Sequence, residues 1–108
     1  MSNQFVFPTP SNETNTWTVY SINPCPFCRK AKELLTMNRE NFTLIDCNDY
    51  KKNNREAFLQ FIHELTKTDH KTFPIIFHGE KFIGGYDKLC IYYGEYKLNK
   101  ELVETNDF

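Results

Sequence analysis

The stretch from Thr16 to Leu35 constrains the fold more than any other part of the chain. Thr16 to Ile22 (TWTVYSI) is β-branched and aromatic, the composition of a strand. Asn23-Pro24 breaks that strand. Cys25-Pro26 then opens a helix, because proline is tolerated at the first helical position. Inside the helix Ala31, Leu34 and Leu35 recur at i, i+3 and i+4 and make one apolar face, while Arg29, Lys30, Lys32 and Glu33 turn to water. A strand that feeds straight into an amphipathic helix starts an α/β arrangement.

The remaining elements continue the alternation. Phe42 to Asp46 (FTLID) reads as a second strand, and a helix follows through Phe58, Phe61, Ile62 and Leu65 at i, i+3, i+4 and i+7. After a polar loop from Thr66 to Lys71, Pro74–Phe77 and Lys81–Ile83 read as two strands around a tight turn at His78-Gly79-Glu80. Gly84-Gly85 ends that hairpin. Tyr86, Leu89, Cys90 and Tyr93 repeat at helical spacing for a last helix, with Gly94 placed to interrupt or end it and the residues beyond about Leu98 polar and frayed. The order β-α-β-α-β-β-α predicts a right-handed parallel crossover followed by an antiparallel hairpin: one mixed four-stranded sheet with helices on both faces. Residues 1–15 are rich in Asn, Ser, Thr and Pro and read as an irregular N-terminal arm. Phe5, Val6 and Phe7 could pack on the body, although a mobile tail is the plainer expectation. Residues 16–98 then form the one folded domain and 99–108 a polar C-terminal tail.

Composition narrows the partners. The chain has 108 residues, 40% of them hydrophobic and 16% aromatic, which suits one packed core and not a disordered segment. The net charge is −1 with no sustained basic run, so nothing electrostatic argues for nucleic acid or an anionic membrane. No apolar run approaches the roughly 18 residues of a membrane helix. No basic stretch followed by an apolar run marks a signal peptide, so the expected location is cytoplasmic. In such a reducing compartment a close cysteine pair is more often catalytic or metal-binding than a structural staple.

Cys25-Pro26-Phe27-Cys28 is that pair. Two intervening residues on a helix's first turn bring the sulfurs within bonding reach, and the first Cys meets the free N–H groups and positive dipole end that favour an anion. The thiolate is the nucleophile, so Cys25 is the expected attacking group. Cys28, one turn further in, is expected to be less exposed and to resolve a mixed disulfide on Cys25. A zinc site with the same spacing would need two more ligands. Cys47, Cys90, His63, His70 and His78 are scattered singly, so no metal is expected. Cys47 and Cys90 are expected to be buried and inert, as small hydrophobes.

Cys25-Pro26-Phe27-Cys28, Thr72-Phe73-Pro74 and Gly84-Gly85-Tyr86-Asp87 together resemble the three signatures of the dithiol glutaredoxins of the thioredoxin superfamily, in order and approximate spacing, from about Trp17 to Tyr93. The resemblance implies a thioredoxin fold and an enzyme that reduces protein disulfides and glutathione mixed disulfides, with glutathione as reductant. It implies Cys25 as nucleophile, Cys28 as resolving thiol, and Pro74 as a cis-proline beside the sulfurs that leaves the backbone of Phe73 free to pair with the peptide of glutathione. The implied glutathione contacts are Phe27, Lys71, Thr72, Phe73, Pro74, Gly85, Tyr86 and Asp87. The glycines allow close approach to the next helix start, a place suited to a carboxylate, and Asp87 resembles the acid that pairs with the ligand's ammonium. The implied partners are glutathione and disulfide-containing or glutathionylated proteins, and the expected state is a monomer.

Three positions depart from the pattern. Ile22 stands where many members carry Lys or Arg, Lys88 where many carry a second acid, and Phe27 where Tyr is commoner. Lys71 is the candidate to replace the carboxylate contact missing at Ile22. Ile22 and Lys88 keep an alternative open, a thioredoxin-like electron carrier reduced by a flavoprotein reductase and serving a ribonucleotide reductase or similar enzyme. Pro26 counts against an iron–sulfur carrier, whose family members usually lack proline there.

Overall fold

The computed structural model describes residues 7–105. Its elements are β1 (Thr16–Ser21), α1 (Pro26–Met37), β2 (Asn41–Asp46), α2 (Asn48–Asn53), α3 (Arg55–Thr66), β3 (Ile75–His78), β4 (Lys81–Gly84) and α4 (Tyr86–Thr105). The four strands form one sheet in the order β2-β1-β3-β4. β1 pairs parallel with β2 and antiparallel with β3, and β3 pairs antiparallel with β4. This is the mixed sheet of the thioredoxin fold.

Alternation along β1 and β3 sends side chains to two cores. On one face Tyr20, Ile75 and Phe77 pack with Cys47, Phe58 and Ile62. On the other Trp17, Val19 and Ile76 pack with Ala31 and Leu35 of α1 and Leu89 and Tyr93 of α4. β2 is an edge strand and buries none of its residues fully.

The arm is irregular but anchored over its described part. Phe7 is buried against Tyr50, Phe58 and Phe61, with ring centroids 4.9, 5.4 and 5.2 Å away. The Tyr20 hydroxyl donates to Pro8 O at 2.6 Å, and Ser11 N–H donates to Thr18 Oγ1 at 3.2 Å. Phe5 and Val6 lie outside the described residues.

Two elements differ from expectation. α2 is a short helix absent from the predicted order; its NDYKKN sequence has no apolar period and buries no residue. α4 runs unbroken through Gly94 to Thr105, so residues 99–105, expected in a frayed tail, continue a helix. Nothing lies within 4 Å of where a Gly94 side chain would stand, so this glycine marks no break.

An aromatic cluster holds α4 to the sheet beyond Gly94. The Trp17 indole N–H donates to Glu40 Oε1 at 3.2 Å and the Tyr93 hydroxyl donates to Glu40 Oε2 at 2.8 Å. The His78 ring stacks on Trp17 at 3.9 Å, meets Tyr96 edge-on at 4.9 Å, and places Nδ1 2.8 Å from the Tyr92 hydroxyl. Burial holds the His78 imidazole below its ordinary value of 6.5, with Glu40 opposing the shift and Lys81 adding to it. A base depressed in the folded state contributes its stability in full above the unfolded pKa and loses it as pH falls through the folded one. Thermal unfolding of the wild type should therefore lose Tm more steeply than that of His78→Asn as pH falls below the ordinary imidazole value of 6.5. Parallel Tm–pH curves would remove His78 from the acid side of the stability profile.

Candidate active site

β1 ends at Ser21, and after Ile22, Asn23 and Pro24, Cys25 caps α1 from an extended conformation (φ −157°, ψ 97°), with Pro26 in the first turn behind it. Cys28 N–H donates to Cys25 Sγ at 3.2 Å, so the cap that satisfies a free helix N–H is the sulfur itself. No acidic residue occupies the first turn of α1. On reduction, that N–H and the positive end of the helix favour a thiolate at Cys25. Cys25 and Cys28 are joined as a disulfide with Cα atoms 5.2 Å apart. Cys28 is 4% exposed while Cys25 is half-buried, which leaves the outer sulfur to meet a substrate and the inner one to attack it from behind.

The Phe73-Pro74 peptide bond is cis, as the resemblance implied for Pro74, and Phe73 O lies 3.8 Å from Cys25 Sγ. A second cis bond, Asn23-Pro24, precedes the cysteine and had no counterpart in the sequence reading. Beside the disulfide opens a cleft of about 570 Å³. Thr72, Phe73 and Pro74 line it, as do Gly85, which lies against Pro74 O, and Asp87 in the first turn of α4. Phe27 stacks on Tyr86 across it, centroids 6.0 Å apart. Seven of the eight residues expected to hold glutathione thus share one cleft; Lys71 is exposed and outside its lining.

The cleft also includes residues the sequence reading did not select: His70, Phe82, Ile83, Gly84 and Lys88. His70 meets Phe82 edge-on at 5.3 Å, and its Nε2 is buried without a partner. A lone histidine in a polar loop carries no signal of such placement. At Gly84, φ is +131° and a Cβ would stand 2.8 Å from Lys88 Cγ, so the close approach expected of the glycine pair falls on its first member. Gly85 has ordinary room, its nearest neighbour being Pro74 O at 3.6 Å.

The other two cysteines part company. Cys47 is fully buried, and burial pushes its thiol up to about 12, which makes it inert at neutral pH. Cys90 is exposed, against expectation. The buried stripe of α4 runs through Leu89 and Tyr93 with Tyr92 and Tyr96 beside it, and Cys90 falls just off that stripe. Its thiol stands beside Tyr86 and holds that phenol above its ordinary pKa. Among the described residues no three His, Cys, Asp or Glu side chains gather as a metal site would require.

An outer sulfur activated by a helix start, with an inner sulfur in bonding reach, exchanges two electrons between dithiol and disulfide. A chain built this way on a β2-β1-β3-β4 sheet is a thiol–disulfide oxidoreductase of the thioredoxin class. The family model for glutaredoxin matches residues 17–83. Glutaredoxin-1 of Ectromelia virus (strain Moscow) is 34% identical over 94 residues, covering 82% of this chain and 80% of the viral one. Among solved structures, glutaredoxin 1 from Francisella tularensis, complexed with cacodylate, superposes with a TM-score of 0.67 at 27% identity, over 78% of this chain and 96% of that one. A buckwheat glutaredoxin–glutathione complex superposes with a TM-score of 0.63 at 25% identity, over 86% of this chain and 80% of that one. The chain belongs to the glutaredoxin family.

Proposed function

We propose that the protein reduces disulfides and glutathione mixed disulfides at Cys25, with glutathione as reductant. The observation that carries this reading is the cleft beside the disulfide, where Phe27, Thr72, Phe73, Pro74, Gly85, Tyr86 and Asp87 converge. The buckwheat relative, whose structure holds glutathione, supports it. In the forward reaction the Cys25 thiolate attacks the glutathione sulfur of a mixed disulfide. The enzyme–glutathione disulfide forms, and the other thiol leaves as a thiolate that takes a proton from water. A second glutathione thiolate then attacks the glutathione sulfur, releasing glutathione disulfide and restoring the Cys25 thiolate. For a protein disulfide, Cys28 supplies the second attack and closes the internal disulfide. The chain would do this as a monomer in the reducing cytoplasm.

Among the described residues Asp87 is the only acid lining the cleft, and Lys88 stands where a second acid would be. Asp87→Asn is therefore expected to raise KM for glutathione about fivefold with little change in kcat. Turnover of a glutathione mixed disulfide with glutathione, glutathione reductase and NADPH checks this, and Lys71→Ala in the same assay reports whether Lys71 reaches the ligand from outside the cleft. An intact dithiol that gives no turnover with glutathione would sink the reading. Ile22 and Lys88, which withhold charges a glutathione site would use, favour one other reading: a carrier reduced by a flavoprotein reductase.

A further inference from the structure

A second groove, of about 640 Å³, opens on the other side of the disulfide. β1 lies between β2 and β3, so a cleft walled by the β3–β4 side and a groove walled by β2 flank the cysteines from opposite directions. Cys25 and Cys28 themselves line this groove.

Its chemistry is specific. Ile22, Pro24 and Leu44 supply the groove's apolar part, and Leu44 is 43% exposed there. Arg29 and Lys32 stand one helical turn apart on α1 and share a face. Neither has an ion-pair partner among the described residues. One acid, Asp46, also lines the groove; its Oδ1 accepts from Asn48 N–H at 2.9 Å and from Asn48 Nδ2 at 2.6 Å, which turns that oxygen toward α2 but leaves its charge, so the lining carries two cations against one anion. An apolar surface beside two cations that outnumber the one acid of the lining attracts a ligand that is apolar at one point and anionic at the next.

We propose that this groove docks the polypeptide around the reacting cysteine of a protein substrate and selects an apolar side chain beside that cysteine with an acidic one next to it. The inference deepens the proposed function but rests on its exchange chemistry at Cys25, not on glutathione as reductant. Docked so, the Cys25 thiolate attacks the substrate cysteine's sulfur and an enzyme–substrate disulfide forms while the substrate's former sulfur partner leaves as a thiolate. Cys28 then attacks Cys25 Sγ, the internal disulfide closes, and the substrate thiolate departs and is protonated by water. The enzyme dithiol is oxidised by two electrons and the substrate disulfide reduced by two.

The test uses two synthetic peptides, each carrying one cysteine as a mixed disulfide with an aryl thiol reporter. One flanks the cysteine with Leu and Glu, the other with Ser and Lys. The full chain is reduced, freed of reductant and mixed with each peptide without glutathione. Each second-order rate of reporter release is divided by the same variant's rate on the reporter disulfide of 2-mercaptoethanol. The wild type is expected to favour the Leu–Glu peptide about tenfold, equivalent to ~1.4 kcal/mol. Leu44→Ser is expected to cut that preference about threefold, and Lys32→Glu to abolish it, the latter effect shrinking as salt rises. Equal normalised rates for both peptides in the wild type, or a preference that survives both substitutions, would overturn the groove. Peptide reduction with the expected preference, in a protein that gives no turnover with glutathione, would overturn the glutathione reading and leave the groove standing. Reporter release from none of the disulfides would overturn both.

Discussion

Replacing Cys25 by serine is expected to lower turnover of a glutathione mixed disulfide by about a thousandfold or more, because no hydroxyl at this site can be a comparable anion or nucleophile. Cys28→Ser is expected to keep that reaction and lose reduction of protein disulfides, which needs the inner sulfur. The asymmetry follows from placement: the outer sulfur caps α1 and accepts Cys28 N–H, and the inner one is 4% exposed behind it. The assay is the NADPH-coupled turnover of a small mixed disulfide for both variants. Loss in both would mean that the reaction always passes through the internal disulfide. Retention in Cys25→Ser would move the nucleophile to another sulfur, with exposed Cys90 the first to examine.

Phe58→Ala is expected to destabilise the protein by ~3–5 kcal/mol, a large part of the 5–15 kcal/mol that holds a typical domain folded. Phe58 is 2% exposed and touches rings from four directions: Phe7 of the arm, Tyr50 of α2, Phe61 of α3 and Tyr20 of β1. It also stacks on Phe73, centroids 6.0 Å apart and planes 9° off parallel, so the loop that forms one wall of the cleft leans on the same residue. Urea denaturation gives the stability change, and Phe58→Leu, which leaves a smaller void, is expected to lose less than half as much. A loss under about 1 kcal/mol in Phe58→Ala would show that the surrounding rings collapse into the space.

What was legible in the sequence follows physical signals. β1, α1, α3 and the β3–β4 hairpin each carry a period or a turn, and each appears. α2 carries neither: Tyr50 is the one aromatic of Asn48 to Asn53, too little to make a period, and its packing on Phe7 and Phe58 brings together segments far apart in sequence. In α4 the apolar period places Tyr86, Leu89 and Tyr93 on the packed face, as the spacing predicts, and misplaces Cys90 alone. Tyr86, Leu89, Cys90 and Tyr93 fit the spacing on paper, yet Tyr92 and Tyr96 are drawn in by Trp17 and His78, partners far off in sequence. Cys90 was therefore expected inside and lies outside. The same partners carry the helix past Gly94. At the site, the cysteine pair and cis-Pro74 were recognisable from motifs, while His70 and the groove under Ile22 were not, because both arise only when separate segments meet.

The central position of β1 has a consequence for how the molecule breathes. Segments open independently in proportion to how little they bury, and the last to open are strands covered on both faces. β1 is flanked on both edges and packed on both faces, and the reacting sulfurs hang from its end, whereas the walls that meet partners belong to an edge strand, a loop and a helix start. The reacting pair therefore sits just past the strand expected to open last, while the edge strand β2, which buries none of its residues fully, is expected to open before it.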